Sequence, residues 1–162
     1  MKVVLQRVSE ASVDVVNELG TLDPTFDPRQ IGPGFVLLVG VADEDGEEQI
    51  AWLAHKILNL RVFEDEQGKM NRSIQNIGGE ILSISQFTLF ADVHKGNRPS
   101  FVGAGKPEHA DLIWIRFNEA LRFGGVPVRE GRFGAHMRVG LVNDGPVTIV
   151  IDTRTDMPGN GR

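Results

Sequence analysis

The sequence predicts a single α/β domain in which several strands form a sheet and two helices pack against it. Three observations carry this reading. Apolar residues recur at helical spacing in two stretches, 46–59 and 107–123. The remaining chain consists of short runs rich in β-branched and apolar residues, separated by Gly, Pro, Asn and Asp. No linker, repeat or low-complexity tract divides the 162 residues, a length that fits one domain with a real core.

Taken in order, Lys2 to Val8 alternates and is β-rich, and Ala11 to Val16 reads as its pairing partner. Residues 17–30 carry Pro24 and Pro28 and interrupt the pattern. Gly34 to Val41 is apolar on both parities, as a central strand buried on both faces must be. Asp45 and Glu48 have capping-box-like spacing, with Asp in place of the usual Ser or Thr. Ile50, Leu53, Ala54, Ile57 and Leu58 then define an amphipathic helix from Gly46 to Asn59. Leu60 to Phe63 reads as a short strand, and Asp65-Glu66-Gln67-Gly68 as a turn that delivers Lys69 and Asn71.

From Ile81 a strand runs through Ser85 into Gln86-Phe87-Thr88-Leu89. This places Gln86 and Thr88 in step with Leu82 and Ile84 on the buried face. A buried amide or hydroxyl without a partner costs about 1–3 kcal/mol, so either neighbouring backbone or a ligand must satisfy both groups. Phe90 to Phe101 follows as a loop whose Lys95 and Arg98 suit an anionic substrate. Pro107 opens the second helix, with Ala110, Ile113, Trp114, Phe117, Ala120 and Leu121 on one side and Gly124-Gly125 as its stop. Trp114 and Phe117 read as core. Val126 to Glu130, Met137 to Val142 and Val147 to Asp152 complete the strands, with Gly145-Pro146 a turn between the last two. The domain is read as 1–154 and the tail, 155–162, as frayed.

Several function classes are excluded or disfavoured. There are no cysteines, which removes disulfides, thiolate nucleophiles and cysteine metal ligands. The histidines His55, His94, His109 and His136 are 39, 15 and 27 residues apart, which matches no metal-binding spacing. No Gly-x-Ser-x-Gly elbow or P-loop is present. The acidic run 43–48 lacks the alternating ligands of a calcium loop and sits where helix-start acids belong. The longest apolar run, Phe35 to Val39, is too short for a bilayer, and a cytoplasmic location is expected. A net charge of −5 argues against a protein that coats nucleic acid but leaves room for a small phosphate footprint.

Ser85-Gln86-Phe87-Thr88 and Asn143-Asp144-Gly145-Pro146-Val147-Thr148 resemble the two hallmark segments of the D-aminoacyl-tRNA deacylases, also called the D-tyrosyl-tRNA deacylase family. Residues 1–8, 63–71 and 131–137 resemble that family in its order as well, so the likeness covers nearly the whole chain. The departure is at 17–30, where the family has a short hairpin. The resemblance implies a mixed sheet with barrel-like β layers, hydrolysis of the ester of D-aminoacyl-tRNA, passage of glycyl-tRNA, and a homodimer without cofactor or metal. It implies a catalytic segment of Ser85, Gln86, Phe87 and Thr88; the backbone N–H groups around Phe87 and Thr88 are candidate donors to the developing oxyanion. By that resemblance, Gly145 and Pro146 form a cis step that enters the partner subunit's pocket and excludes L side chains, with Arg7 steadying that segment. Phe133, Met137, Lys95 and Arg98 are then expected at the tRNA 3′ end.

On the residues alone, Thr88 reads as a positioning group, because no base stands assigned to activate it as a nucleophile. Two rival functions stand beside the deacylase: a hydrolase of other small activated esters, and a non-catalytic dimeric module that binds the tRNA end.

Overall fold

The computed structural model describes residues 1–159. Eight strands and two long helices form a single α/β domain around a mixed, nearly barrel-like sheet. The strands are β1 (Lys2–Val16), β2 (Arg29–Ile31), β3 (Gly34–Gly40), β4 (Phe63–Glu64), β5 (Met70–Arg72), β6 (Glu80–Ser85), β7 (Val128–Glu130) and β8 (His136–Asp152). The helices are α1 (Glu47–Asn59), α2 (Pro107–Phe123) and the short α3 (Thr153–Asp156). The main sheet runs β2-β1-β3-β6-β7, with β8 on the other side of β1; β4 and β5 form a separate hairpin. β3 pairs with β6 in parallel, as does β6 with β7, while β1 is antiparallel to β2, β3 and β8.

Two expected strand pairs prove to be two long strands. Lys2–Val8 and Ala11–Val16 do not fold back on each other; they are the halves of β1, and each finds partners elsewhere. Nothing between them has turn chemistry. Ser9 is instead left unpaired between the Val8–Asn143 and Glu10–Val142 partners. One extra residue reverses the inward parity of a strand. Val3 and Leu5 accordingly face the core under the helices, whereas Ala11 and Val13 join a second cluster with Val8, Ile31, Val36, Leu82 and Ile84.

Likewise Met137–Val142 and Val147–Asp152 belong to one strand, β8, and Gly145-Pro146 is a bulge within it rather than a turn between strands. Gln6 pairs with Thr148 and Val8 with Asn143, so Arg7 alone stands opposite residues 144–147.

Both expected helices form, α1 from Glu47 and α2 from Pro107, and their apolar stripes close the main core with Phe35, Leu37, Val39 and Ile81. Trp114 and Phe117 are buried in it. The cap of α1 differs from the capping box expected of Asp45 and Glu48. Gly46 is the N-cap residue, and its N–H donates to the Gln49 side chain at 2.9 Å. Asp45 is buried, where its carboxylate takes the Met1 ammonium and accepts the Ala42 N–H at 2.7 Å. Burial of that ammonium moves its pKa below the ordinary value.

α3 runs from Thr153 into the tail read as 155–162, and Met157 is buried; residues 160–162 lie outside the described residues. Among the described residues no helix is long and apolar enough to cross a membrane.

Candidate active site

β6 ends at Ser85, one residue short of the polar pair that the sequence places on its buried face. The Gln86 N–H makes the last rung with Val39 O at 2.7 Å, and β3 itself stops at Gly40. Without a neighbour to pair with, the chain turns, and Phe87–Phe90 forms a single 3-10 turn. The turn folds back over Gly40, where a Cβ would stand 2.9 Å from the Phe90 ring and 3.1 Å from Gln86 O. Only a residue without a side chain allows that approach. The continuous strand through Leu89 is therefore corrected: Thr88 is exposed, and its hydroxyl accepts a hydrogen bond from the Gln86 amide.

This turn leaves two backbone donors at its start. The first bond across it runs from Leu89 N to Gln86 O at 3.4 Å, so the N–H groups of Phe87 and Thr88 precede the ladder and have no partner within the turn. Phe87 lines a cleft of about 650 Å3, and Thr88 follows it in the turn without lining that cleft. Ser85, Gln86 and Phe87 line one side, and Trp114, Phe133 and Met137 another.

The walls are set by packing. Trp114 Nε1 donates to the buried Ser83 hydroxyl at 2.9 Å, which fixes the indole. Phe133 leans on the indole at 6.2 Å between ring centroids, and Phe87 meets Phe101 edge to face at 5.0 Å. The lining is mostly apolar. Its single titratable side chain among the described residues is His136, at the start of β8. A carboxylate acid–base pair of the glycosidase kind is thus not built into these walls. Among the described residues no group of three His, Cys, Asp or Glu is gathered as for a metal ion.

The structure brings together five of the sequence-derived candidates, Ser85, Gln86, Phe87, Phe133 and Met137, around this cleft. Thr88 is exposed and is not among the residues that line it. Lys95 and Arg98 are exposed in the loop closed by the Asp92–Ser100 pair, with N–H to O distances of 2.7 and 2.9 Å, and they line no part of the cleft. In that loop the His94 backbone N–H, then its ring, hold the Asp92 carboxyl below the usual carboxylate range. Trp114 serves both the core and the cleft wall, and Phe101 reaches the cleft from the loop. The helical pattern signals the burial of Trp114, but nothing local signals that one edge of the indole faces an opening.

Gly145 and Pro146 lie elsewhere. Both are exposed, the bond between them is cis, and neither lines this chain's own cleft. Arg7, 5% exposed, holds the bulge from beneath: Nε donates to Asp144 O at 3.0 Å and Nη1 to Val62 O at 2.7 Å, with Glu64 Oε1 3.6 Å from Nη2. Asn143 closes its base. With its amide turned to satisfy both ends, the nitrogen donates to Arg7 O at 3.0 Å and Val147 O at 3.1 Å, and the oxygen accepts from the Thr148 hydroxyl at 3.0 Å.

The barrel-like α/β fold defines a class that solved structures share. A protein titled c-Myc DNA Unwinding Element Binding Protein is similar at 43% identity with a TM-score of 0.82, over 94% of this chain and 98% of that one. A probable eukaryotic D-amino acid tRNA deacylase shares the fold at 18% identity, TM-score 0.73, over 93% and 97%. Residues 4–152 match the D-Tyr-tRNA(Tyr) deacylase family, and the chain belongs to it. It is 88% identical to the D-aminoacyl-tRNA deacylase of Bifidobacterium longum subsp. infantis, over all of both chains. Its identity to the protein of that name from an Exiguobacterium species is 53%, over 94% of this chain and 98% of that one.

Proposed function

We propose that this protein is a D-aminoacyl-tRNA deacylase that hydrolyses the ester joining a D-amino acid to the 3′ end of tRNA. The observation that carries the reading is a mostly apolar cleft large enough for a nucleoside, lined by Phe87, whose N–H and that of the adjoining Thr88 have no partner within their turn. An aminoacyl ester is already activated. Orientation, a placed water and donors aimed at the developing oxyanion are sufficient for its hydrolysis, so the scarcity of acid–base side chains is consistent with the chemistry. In this mechanism the apolar walls at Phe133 and Met137 take the terminal base, the Phe87 and Thr88 amides meet the carbonyl oxygen, and the Gln86–Thr88 side-chain bond holds the turn in shape. Lys95 and Arg98 meet phosphates nearer the tRNA body.

Chiral selection is assigned to Gly145-Pro146 acting on the cleft of a second copy. This segment is exposed, rigidly held by Arg7 and absent from its own chain's cleft, as a group offered to a partner must be. Its backbone occupies the space an L side chain would need. Glycyl-tRNA, which has no side chain to reject, passes as well. The protein then works as a homodimer.

Incubation with matched D- and L-aminoacyl-tRNA and with a free amino-acid ester tests the function. Release from D-aminoacyl-tRNA alone is expected; release from the simple ester would favour a general esterase, and binding without release a tRNA-end binding module. A mass in free solution that stays monomeric at working concentration would remove the chiral mechanism.

A further inference from the structure

The chain between β1 and β2 has no part in the activity described so far, yet one side chain ties it to the wall of the cleft. Arg132 sits in the β7–β8 connection beside Phe133. While Phe133 faces the cleft, Arg132 reaches the opposite way: Nη1 lies 3.0 Å from Asp23 Oδ2 and 3.2 Å from the Thr25 hydroxyl, and Nη2 donates to Thr25 O at 3.0 Å.

The acceptors are also held by hydrogen bonds of their own. Asp23 Oδ1 takes the Thr25 N–H at 2.8 Å and its hydroxyl at 2.6 Å, and the Asp23 N–H donates to Val15 O at 2.9 Å. The guanidinium also covers the Phe26 ring at 5.3 Å, with Arg29 over the same ring at 5.0 Å. Phe26 packs on the same cluster as Met137, the other side chain of that wall.

The connection has few other anchors. Gly131 N–H donates to Ser83 O at 3.0 Å and Ala135 N–H to Arg132 O at 3.2 Å; among the described residues, its remaining polar ties to other segments run through Arg132. A planar fork that meets a carboxylate, a hydroxyl and a carbonyl together fixes direction as well as distance, which a lysine does not. The ion pair itself is partly open to solvent, so its effect falls on local geometry more than on global stability.

We propose that Asp23, Thr25 and Phe26 act through Arg132 as positioning residues for the Phe133–Met137 wall, so that this segment sets how tightly the cleft grips the terminal nucleoside of its tRNA. This rests on the deacylase reading above. A residue that only shapes the binding wall changes KM and leaves kcat.

The test is steady-state hydrolysis of D-aminoacyl-tRNA by the full chain, comparing wild type with Arg132→Ala, Arg132→Lys, Asp23→Ala and the control Asp27→Ala, each checked for folding by circular dichroism. We expect KM to rise roughly fivefold in Arg132→Ala and Asp23→Ala with kcat within about twofold, Lys to fall between, and Asp27→Ala to match wild type. Unchanged KM in both, or a lower kcat at unchanged KM, overturns the inference. A rise in Arg132→Ala with none in Asp23→Ala also overturns it, because the arginine would then be gripping tRNA directly. Wild type that releases nothing from D-aminoacyl-tRNA overturns the function itself, and this inference with it.

Discussion

Arg7 Nε donates to Asp144 O at 3.0 Å, and Arg7 is the one residue of β1 that faces the 144–147 bulge of β8. A buried guanidinium has no hydrogen bonds to water to fall back on, so its partners determine whether the site is stable. Here they are the carbonyls of Asp144 and Val62 and the carboxylate of Glu64, drawn from two separate segments.

Arg7→Lys keeps the charge but cannot reach both carbonyls and Glu64 in one plane. We expect it to lower unfolding free energy by about 2–4 kcal/mol, the range for a buried charge that loses partners. Turnover per folded molecule should fall at least about tenfold, because the bulge loses its fixed position. Urea unfolding and D-aminoacyl-tRNA hydrolysis measure the two. A variant equal to wild type in both would show that the bulge holds its shape unaided.

Thr88→Ala removes an exposed hydroxyl that accepts from the Gln86 amide and leaves the backbone donors in place. Loss of kcat should be modest, about two- to fivefold, against the ~100-fold or more expected when an oxyanion donor itself is removed. Complete loss in a folded protein, or a trapped aminoacyl-Thr88 ester, would make Thr88 a nucleophile.

Much of this arrangement is legible in the sequence where one residue's environment follows from its neighbours. The apolar stripes of α1 and α2 and the two-sided burial of β3 are of that kind. The site segments were found by resemblance, and their local form was not legible. Nothing in Ser85-Gln86-Phe87-Thr88 announces that β3 ends at Gly40 and removes the rung that a longer β6 would need. Nor does Gly145-Pro146 reveal that its flanks continue one strand, since the pairing that holds them lies across β1, more than a hundred residues away in sequence. Asp45 shows the same limit: its helix-start position suggested a cap, and tertiary contact with the amino terminus took it instead.

The Asp23 tie should also be visible as a pH dependence. The Thr25 hydroxyl first, then the Thr25 N–H and Arg132, hold the Asp23 carboxyl below its ordinary range. A carboxylate depressed in the folded state adds stability above its unfolded pKa of about 3.9, and that contribution is lost as pH falls through the folded value. Asp23→Asn should therefore be less stable than wild type at pH 7, and the gap should close as pH falls through the depressed folded-state value. Urea midpoints for both proteins across that range check the sign. A gap that widens in acid would mean that the carboxylate is not favoured by folding.

The last prediction concerns Gly145, whose φ of +130° lies in the region that side chains avoid. A Cβ there would stand 2.8 Å from Val147 Cγ2, 3.0 Å from Val147 N and 3.1 Å from Arg7 Nη2. Gly145→Ala must therefore shift the bulge against its own support and displace the backbone that the segment presents. If the segment excludes L side chains from a partner's cleft by occupying space, hydrolysis of D-aminoacyl-tRNA should fall by about tenfold or more. L-aminoacyl-tRNA should remain a poor substrate, since exclusion by occupied space holds no separate grip on L side chains for the mutation to release. A bulge remote from the site gives a different result: the strain lowers stability, by about 1 kcal/mol or more, while turnover per folded molecule stays the same. Comparing D and L rates, normalised to folded protein by circular dichroism, separates the two. Undiminished D-aminoacyl-tRNA turnover in the folded variant would place Gly145 outside the chemistry.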